Sequence, residues 1–229
     1  MIKYLLALLI IPAALISCSE APKPRIDLAK LNLNEPVRSL INYNDAIVGG
    51  ANTVEVPMAI VIEVDHSNSY SFNGIPLDSA EVTFQLNSAH FRADTSIHDG
   101  IGHYSIIKVK SDAAINKVID HFKTDSVIYG YRVSIKTKQM KARILNELTK
   151  LYGKGSPNPT VHTGLYWNLK DKQRLILYAP DYDRFVVLNT TNLSKTCYQD
   201  NINGTLDFGG CNIDKYFDDL YFRKKQTNK

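Results

Sequence analysis

The sequence predicts an α+β domain: a mostly antiparallel sheet with two to four helices packed on it. Three observations carry that prediction. Apolar and polar residues alternate in several short segments, two longer segments place apolar residues at helical spacing, and the order runs strands, helices, then a closing series of strands. Apolar residues make up 44% of the chain and aromatic residues 10%, enough to build a core and to exclude general disorder.

The elements follow in order. Ser19 to Pro36 carries Pro22, Pro24 and Pro36 among charged and amide residues, which predicts a semi-extended spacer with at most a short helix around Ile26 to Leu33. Val54, Val56, Met58, Ile60, Ile62 and Val64 alternate on one face of a strand, with Pro57 marking an edge or a bulge. Asp65 to Ser69 turn the chain into Tyr70 and Phe72, and this segment is expected to pair with the preceding strand. Asn73-Gly74 is a hairpin turn signal. The next stretch conflicts with itself. Asp78 and Glu81 have capping-box spacing, whereas Ala80, Val82, Phe84 and Leu86 alternate; the capping signal favours a helix.

His90 to His103 reads as a polar loop and Tyr104 to Lys110 as a strand. Ser111-Asp112 can cap a helix whose stripe is Ala114, Ile115, Val118, Ile119 and Phe122. Val127, Tyr129, Tyr131, Val133 and Ile135 predict a half-buried strand. Thr137 then precedes the strongest helix, with Met140, Ile144, Leu145, Leu148, Leu151 and Tyr152 facing the core, Arg143 and Glu147 paired on the wet face, and Gly153 as its C-terminal cap. Strands are predicted at Val161 to Leu169, Arg174 to Ala179 and Arg184 to Thr190, the last two joined by a turn at Pro180 to Asp183. Ile213, Tyr216, Phe217, Leu220 and Tyr221 mark a short closing helix.

The N-terminus is an address. Lys3, an apolar run from Tyr4 to Ile16 broken by Pro12, and then Leu15-Ile16-Ser17-Cys18 make up a signal whose core of about 13 residues is short of the ~20 that a spanning helix needs. Leu15-Ile16-Ser17-Cys18 resembles the lipobox of bacterial lipoproteins position by position. The resemblance implies cleavage before Cys18, lipidation of its sulfur, and membrane attachment by several acyl chains. Ser19 after the lipidated cysteine resembles the sorting pattern for the outer membrane. The predicted organisation is therefore a signal peptide at 1–17, a lipidated cysteine and tether at 18–36, and a single domain at 37–229.

Cys197 and Cys211 remain as an even pair in an oxidising compartment and are expected to form a disulfide. Closing a loop of that length is worth roughly 3 kcal/mol in the chain-entropy picture. A second resemblance rests on Asn73-Gly74-Ile75-Pro76 opening a helix and on Leu148 to Gly153 ending one ahead of Trp167. These motifs resemble uncharacterised exported proteins of gut-type bacteria, which implies an exported α+β domain and adds no chemistry; the segment from Phe91 to His121 departs from that pattern.

Candidate chemistry is sparse. His98, Asp99 and His103 place two imidazoles and a carboxylate in one loop, and they are the residues an enzyme reading would use. Their spacing is not that of a helical zinc motif, so no metal and no cofactor are predicted. Asp65-His66 and Asp120-His121 are sequence neighbours whose side chains diverge on regular structure. Gly153-Lys154-Gly155-Ser156 lacks the glycine spacing of a phosphate-binding loop. Asp181, Asp183, Asp200 and Asp207 do not form a calcium loop. The formal charge of +4 does not call for nucleic acid.

Thirteen tyrosines are the compositional oddity. They serve either as half-buried sheet residues or as a recognition surface for protein or glycan. The resulting expectation is an envelope lipoprotein that acts as a non-catalytic binding or accessory module, with an envelope hydrolase acting on glycan or peptide as the alternative.

Overall fold

The computed structural model describes residues 24–52, 59–78, 80–86, 104–122, 124–159 and 161–191. Cys18, His98, Asp99, His103, Cys197, Cys211 and the closing helix predicted around Ile213 to Tyr221 lie outside those residues.

Short strands β1 (Ile26–Asp27), β4 (Tyr70–Phe72) and β5 (Ile75–Pro76) form a small mixed sheet. Asn73 and Gly74, at φ +44° and +79°, make the tight turn between β4 and β5, as the sequence predicts. The main sheet among the described residues comprises β2 (Ala46–Asn52), β3 (Ala59–Ser67), β6 (Ala80–Leu86), β7 (Tyr104–Lys108), β8 (Ile128–Ser134), β9 (Ser156–Pro157), β10 (Leu165–Leu169), β11 (Arg174–Ala179) and β12 (Arg184–Asn189). Their spatial order is β7-β2-β3-β6-β8-β12-β11-β10-β9, with every neighbouring pair antiparallel. Helices α1 (Asp112–Phe122) and α2 (Lys138–Tyr152) complete the α+β architecture.

The inner face of the sheet carries Ile60, Ile62, Val64, Val82, Phe84, Tyr131, Val133, Phe185 and Val187, all buried in one cluster with Ile115 and Val118 of α1 and Ile144 and Leu148 of α2. Edge-to-face aromatic contacts tie it together: Phe72 and Phe185 lie 5.0 Å apart, and Tyr70 and Phe84 5.6 Å. Gly49 of β2 lets α1 approach closely, since a Cβ there would stand 2.6 Å from Val118. Both helices begin as predicted, with Ala114 N–H donating to Ser111 Oγ at 3.3 Å and Met140 N–H to Thr137 Oγ1 at 3.1 Å. Gly153, at φ +79°, ends α2.

Four expectations are corrected. The stretch after Asp78 is strand β6, because Val82, Phe84 and Leu86 face the core while Thr83 and Gln85 are buried on the other side. A helix would bury only one stripe, and Asp78 is engaged by Arg25 instead of capping a turn. Second, β3 and β4 do not pair. β3 lies between β2 and β6 in the main sheet, and β4 lies between β1 and β5 in the small one. Strand β2, with its Gly49-Gly50 pair, had no readable strand signal. Third, the predicted Arg143–Glu147 pair is replaced: Glu147 binds Lys150 at 3.4 Å and accepts from Asn73.

The fourth correction concerns the spacer. From Ile26 onward the chain is part of the domain, as a strap across the inner face with Leu28, Leu31, Leu33, Val37 and Leu40 buried. Burial of each such side chain is worth roughly 2 kcal/mol, which outweighs the extended bias of Pro24 and Pro36. The predicted helix around Ile26 to Leu33 is a two-residue strand followed by turns.

Candidate functional site

The strap is held by polar side chains that rise from the sheet. Tyr131 Oη donates to the Leu28 carbonyl at 2.8 Å, Tyr70 Oη to the Leu40 carbonyl at 2.7 Å, and Asn189 Nδ2 to the Leu33 carbonyl at 3.2 Å. Arg174 donates to the carbonyls of Ala29 and Leu31. Its C-terminal end is sewn to the start of β8: Ile128 N–H donates to the Glu35 carbonyl at 3.0 Å and Val37 N–H to the Ser126 carbonyl at 2.8 Å. Burial pushes the Tyr70 and Tyr131 phenols well above their usual range, so both remain donors at any physiological pH.

Where the strap passes over the ends of β8, β12 and β11, a groove of about 340 Å³ opens. Asn32, Leu33 and Asn34 of the strap form one wall, and Tyr129, Lys172, Gln173, Arg174, Asn189 and Thr191 of the sheet form the other. Arg174 and Asn189 face each other across β11 and β12, so the residues that anchor the strap also form the floor.

Tyr129 is there because β8 bulges. Gln85 pairs with Gly130 but Leu86 pairs with Ile128, so one residue of β8 is skipped. A strict alternation from Val127 would place Tyr129 in the core beside Tyr131. The bulge instead buries Ile128 and turns Tyr129 to the groove rim.

Gln173 holds the opposite rim. It closes the β10–β11 loop at φ +52°, ψ +43°, a left-handed conformation that costs a non-glycine residue about 1–2 kcal/mol. Its carbonyl accepts from Thr190 N–H at 2.9 Å, and its side-chain oxygen accepts from the Thr191 hydroxyl at 2.9 Å. The β11–β12 loop is built in the same way, with Asp183 at φ +54°, but there the left-handed residue is an aspartate, which tolerates the conformation better. Lys172 sits 5.2 Å from the centroid of the Tyr152 ring, a cation–π contact that orients its ammonium beside the opening.

The lining therefore offers amide groups that both donate and accept, hydroxyls from Tyr129 and Thr191, and two cations, with no carboxylate among its described residues. Such a set can bind a hydroxyl-rich or anionic group. Among the described residues of the lining there is no carboxylate or imidazole to exchange protons with a ligand.

Of the residues singled out from sequence, His98, Asp99, His103, Cys18, Cys197 and Cys211 are outside the described residues. Asp120 and His121 are exposed on the last turn of α1. Asp181 and Asp183 serve turn chemistry, and Asp183 forms an ion pair with Lys141 at 2.5 Å. No group of three or more His, Cys, Asp or Glu among the described residues could hold a metal ion. No described helix is long and apolar enough to cross a membrane. Sequence reasoning missed the whole groove: its residues are isolated polar side chains scattered over turns and strand ends, and only the tyrosine count hinted at it. No family model matches the chain, and comparison with curated proteins and with solved structures likewise gives no match.

Proposed function

We propose that the mature protein is a lipid-anchored module of the bacterial envelope that binds an acidic glycan without turning it over. The observation that supports this most is the groove's lining: amides and hydroxyls spaced around Lys172 and Arg174. An Asn or Gln side chain can bond two neighbouring sugar hydroxyls at once, one as donor and one as acceptor. The Lys172 ammonium at the rim, with the charge of the strap-bound Arg174 behind it, favours a carboxylate-bearing sugar over a neutral one. A volume of about 340 Å³ lies near the lower end of ligand sites, which run from about 300 to 1,000 Å³, and suits one or two sugar rings. The lipobox at Leu15 to Cys18 supports anchoring at the membrane, with the outer membrane favoured by Ser19.

Two experiments test the two halves of this reading. Cys18→Ala is expected to release the protein from membranes or to block its processing, and unchanged membrane retention of the correctly cleaved protein would refute lipidation. For the groove, residues 18–229 are titrated with uronic-acid oligosaccharides and their neutral counterparts in a calorimeter. Saturable binding of the acidic series, weakened by salt, is the expected result; equal binding of both series, or none, would refute the assignment.

A further inference from the structure

Charge is divided unevenly along the chain. Residues 136–174 carry nine Lys and Arg against two Asp and Glu, a net charge of +7 in a chain whose total is +4, so the remaining residues sum to −3. The segment comprises α2, the β9–β10 edge and the turn that leads into β11. The exposed residues of α2 include Lys138, Arg143 and Lys150 and no carboxylate. Its one acid, Glu147, is turned toward the small sheet, where it accepts from Asn73 and meets Lys150 at 3.4 Å. Asp171, between Lys170 and Lys172, is the other acid of the segment. A wet helix face gains from acids and bases four apart and loses from a single sign. The first turn of α2, where the helix dipole favours an acid, holds none. Helix stability therefore does not account for the pattern.

These cations reach the groove at one point. Lys172, on the rim, lies 5.2 Å from the centroid of the Tyr152 ring, and Tyr152 is the last residue of α2. Lys150 and Lys154, both exposed, stand two residues to either side of Tyr152. Trp167 Nε1 fixes this end of the helix by donating to the Gly153 carbonyl at 2.9 Å. Arg143 precedes Lys150 by seven residues, so it lies on the same side of α2, two turns or about 10 Å further back.

We infer that the groove holds one end of a longer polyanionic glycan, whose chain passes Lys172 and runs over the C-terminal end of α2 along Lys154, Lys150 and Arg143. The inference rests on the groove being a glycan site, and extends it from one or two rings to a chain with repeated carboxylates. Spaced cations of one sign suit repeated charges on a linear partner, and each adds a modest attraction that salt screens. A flat anionic bilayer could meet the exposed cations of α2, but it could not enter the groove with which they are continuous. A linear polymer does both.

The test is calorimetric titration of residues 18–229 with uronic-acid dimers and octamers. The triple variant Arg143→Gln, Lys150→Gln, Lys154→Gln should weaken octamer binding about 10-fold and dimer binding less than about twofold. A second triple variant, Lys108→Gln, Lys110→Gln, Lys117→Gln, removes the same charge from β7, α1 and the link between them, at the opposite edge of the sheet from β9. It should bind both ligands within about twofold of wild type. Equal losses in the two variants, or an octamer unaffected by the first, would overturn the inference while leaving dimer binding, and so the groove, in place. No dimer binding by the wild type would instead remove the groove, and the inference with it. Co-sedimentation of the same chain with anionic vesicles, lost in the first variant while octamer binding is unchanged, would assign these cations to lipid and also overturn it.

Discussion

The strap anchors and the groove rim use the same residue types to opposite ends. Tyr131 and Tyr129 are two positions apart on β8, yet the first is buried with its hydroxyl on the Leu28 carbonyl and the second stands at the groove opening. Arg174 and Lys172 are likewise two apart. The guanidinium is committed to strap carbonyls, while the ammonium lies over the Tyr152 ring at the rim. The difference is one of backbone: a bulge in β8 and a left-handed residue before β11 decide which member of each pair is structural. Residue type alone assigns neither role.

The comparison breaks most visibly at the strap. Leu28→Ala should cost about 2–5 kcal/mol in urea unfolding, because the side chain is fully buried in the inner cluster. A loose tether would lose almost nothing, so a cost below about 0.5 kcal/mol would return this segment to the spacer. Tyr131→Phe is expected to cost about 1–3 kcal/mol, since it leaves the Leu28 carbonyl without that hydroxyl inside the core. Equilibrium unfolding measures both, and the order between them matters as much as the values.

At the rim the sign reverses. Gln173→Gly should relieve the left-handed backbone and raise stability by roughly 0.5 kcal/mol after the unfolded-state entropy of glycine is set against it. It should also weaken ligand binding. A variant that gains stability and binds unchanged would mean that the glutamine side chain contributes nothing to recognition.

The smallest effect concerns Glu63 on the outer face. Burial, and then the neighbouring Glu81 carboxylate, raise its pKa, while Arg132 at 3.7 Å opposes the shift. A carboxyl whose folded value is raised favours the folded state most below its unfolded value near 4.5, and that contribution fades as pH rises through the folded value. Glu63→Gln should therefore flatten the stability profile just above pH 4.5, as read by thermal unfolding across pH. An unchanged profile would remove Glu63 as its source.

Much of the fold was legible in the sequence, for identifiable reasons. α1 and α2 each bury one stripe and carry side-chain caps, and β11 and β12 are short apolar runs bounded by turn signals, so local pattern and tertiary packing agree. β6 was misread because Asp78 and Glu81 stand at capping-box spacing, which outweighed a visible alternation, whereas Asp78 is engaged by Arg25 and caps nothing. β2 was missed because close packing of α1 requires Gly49, and glycine carries no strand signal. The strap was misread because Pro24 and Pro36 speak for extension, whereas the leucines between them are spaced for turns and not for any regular period.

The groove was illegible for a further reason. Its chemistry is assembled from turn residues and strand-end residues brought together by a bulge and by the strap lying over the sheet, and neither leaves a motif.

The most direct measurement is calorimetric titration of an acidic oligosaccharide into the wild-type mature domain, Lys172→Ala and Tyr70→Phe. Lys172 lines the groove, and Tyr70 anchors the strap away from it. The account predicts that Lys172→Ala weakens binding about 10-fold, equivalent to about 1.4 kcal/mol, with stability nearly unchanged, and that Tyr70→Phe loses stability while binding within twofold of wild type. Equal binding by wild type and Lys172→Ala would contradict it.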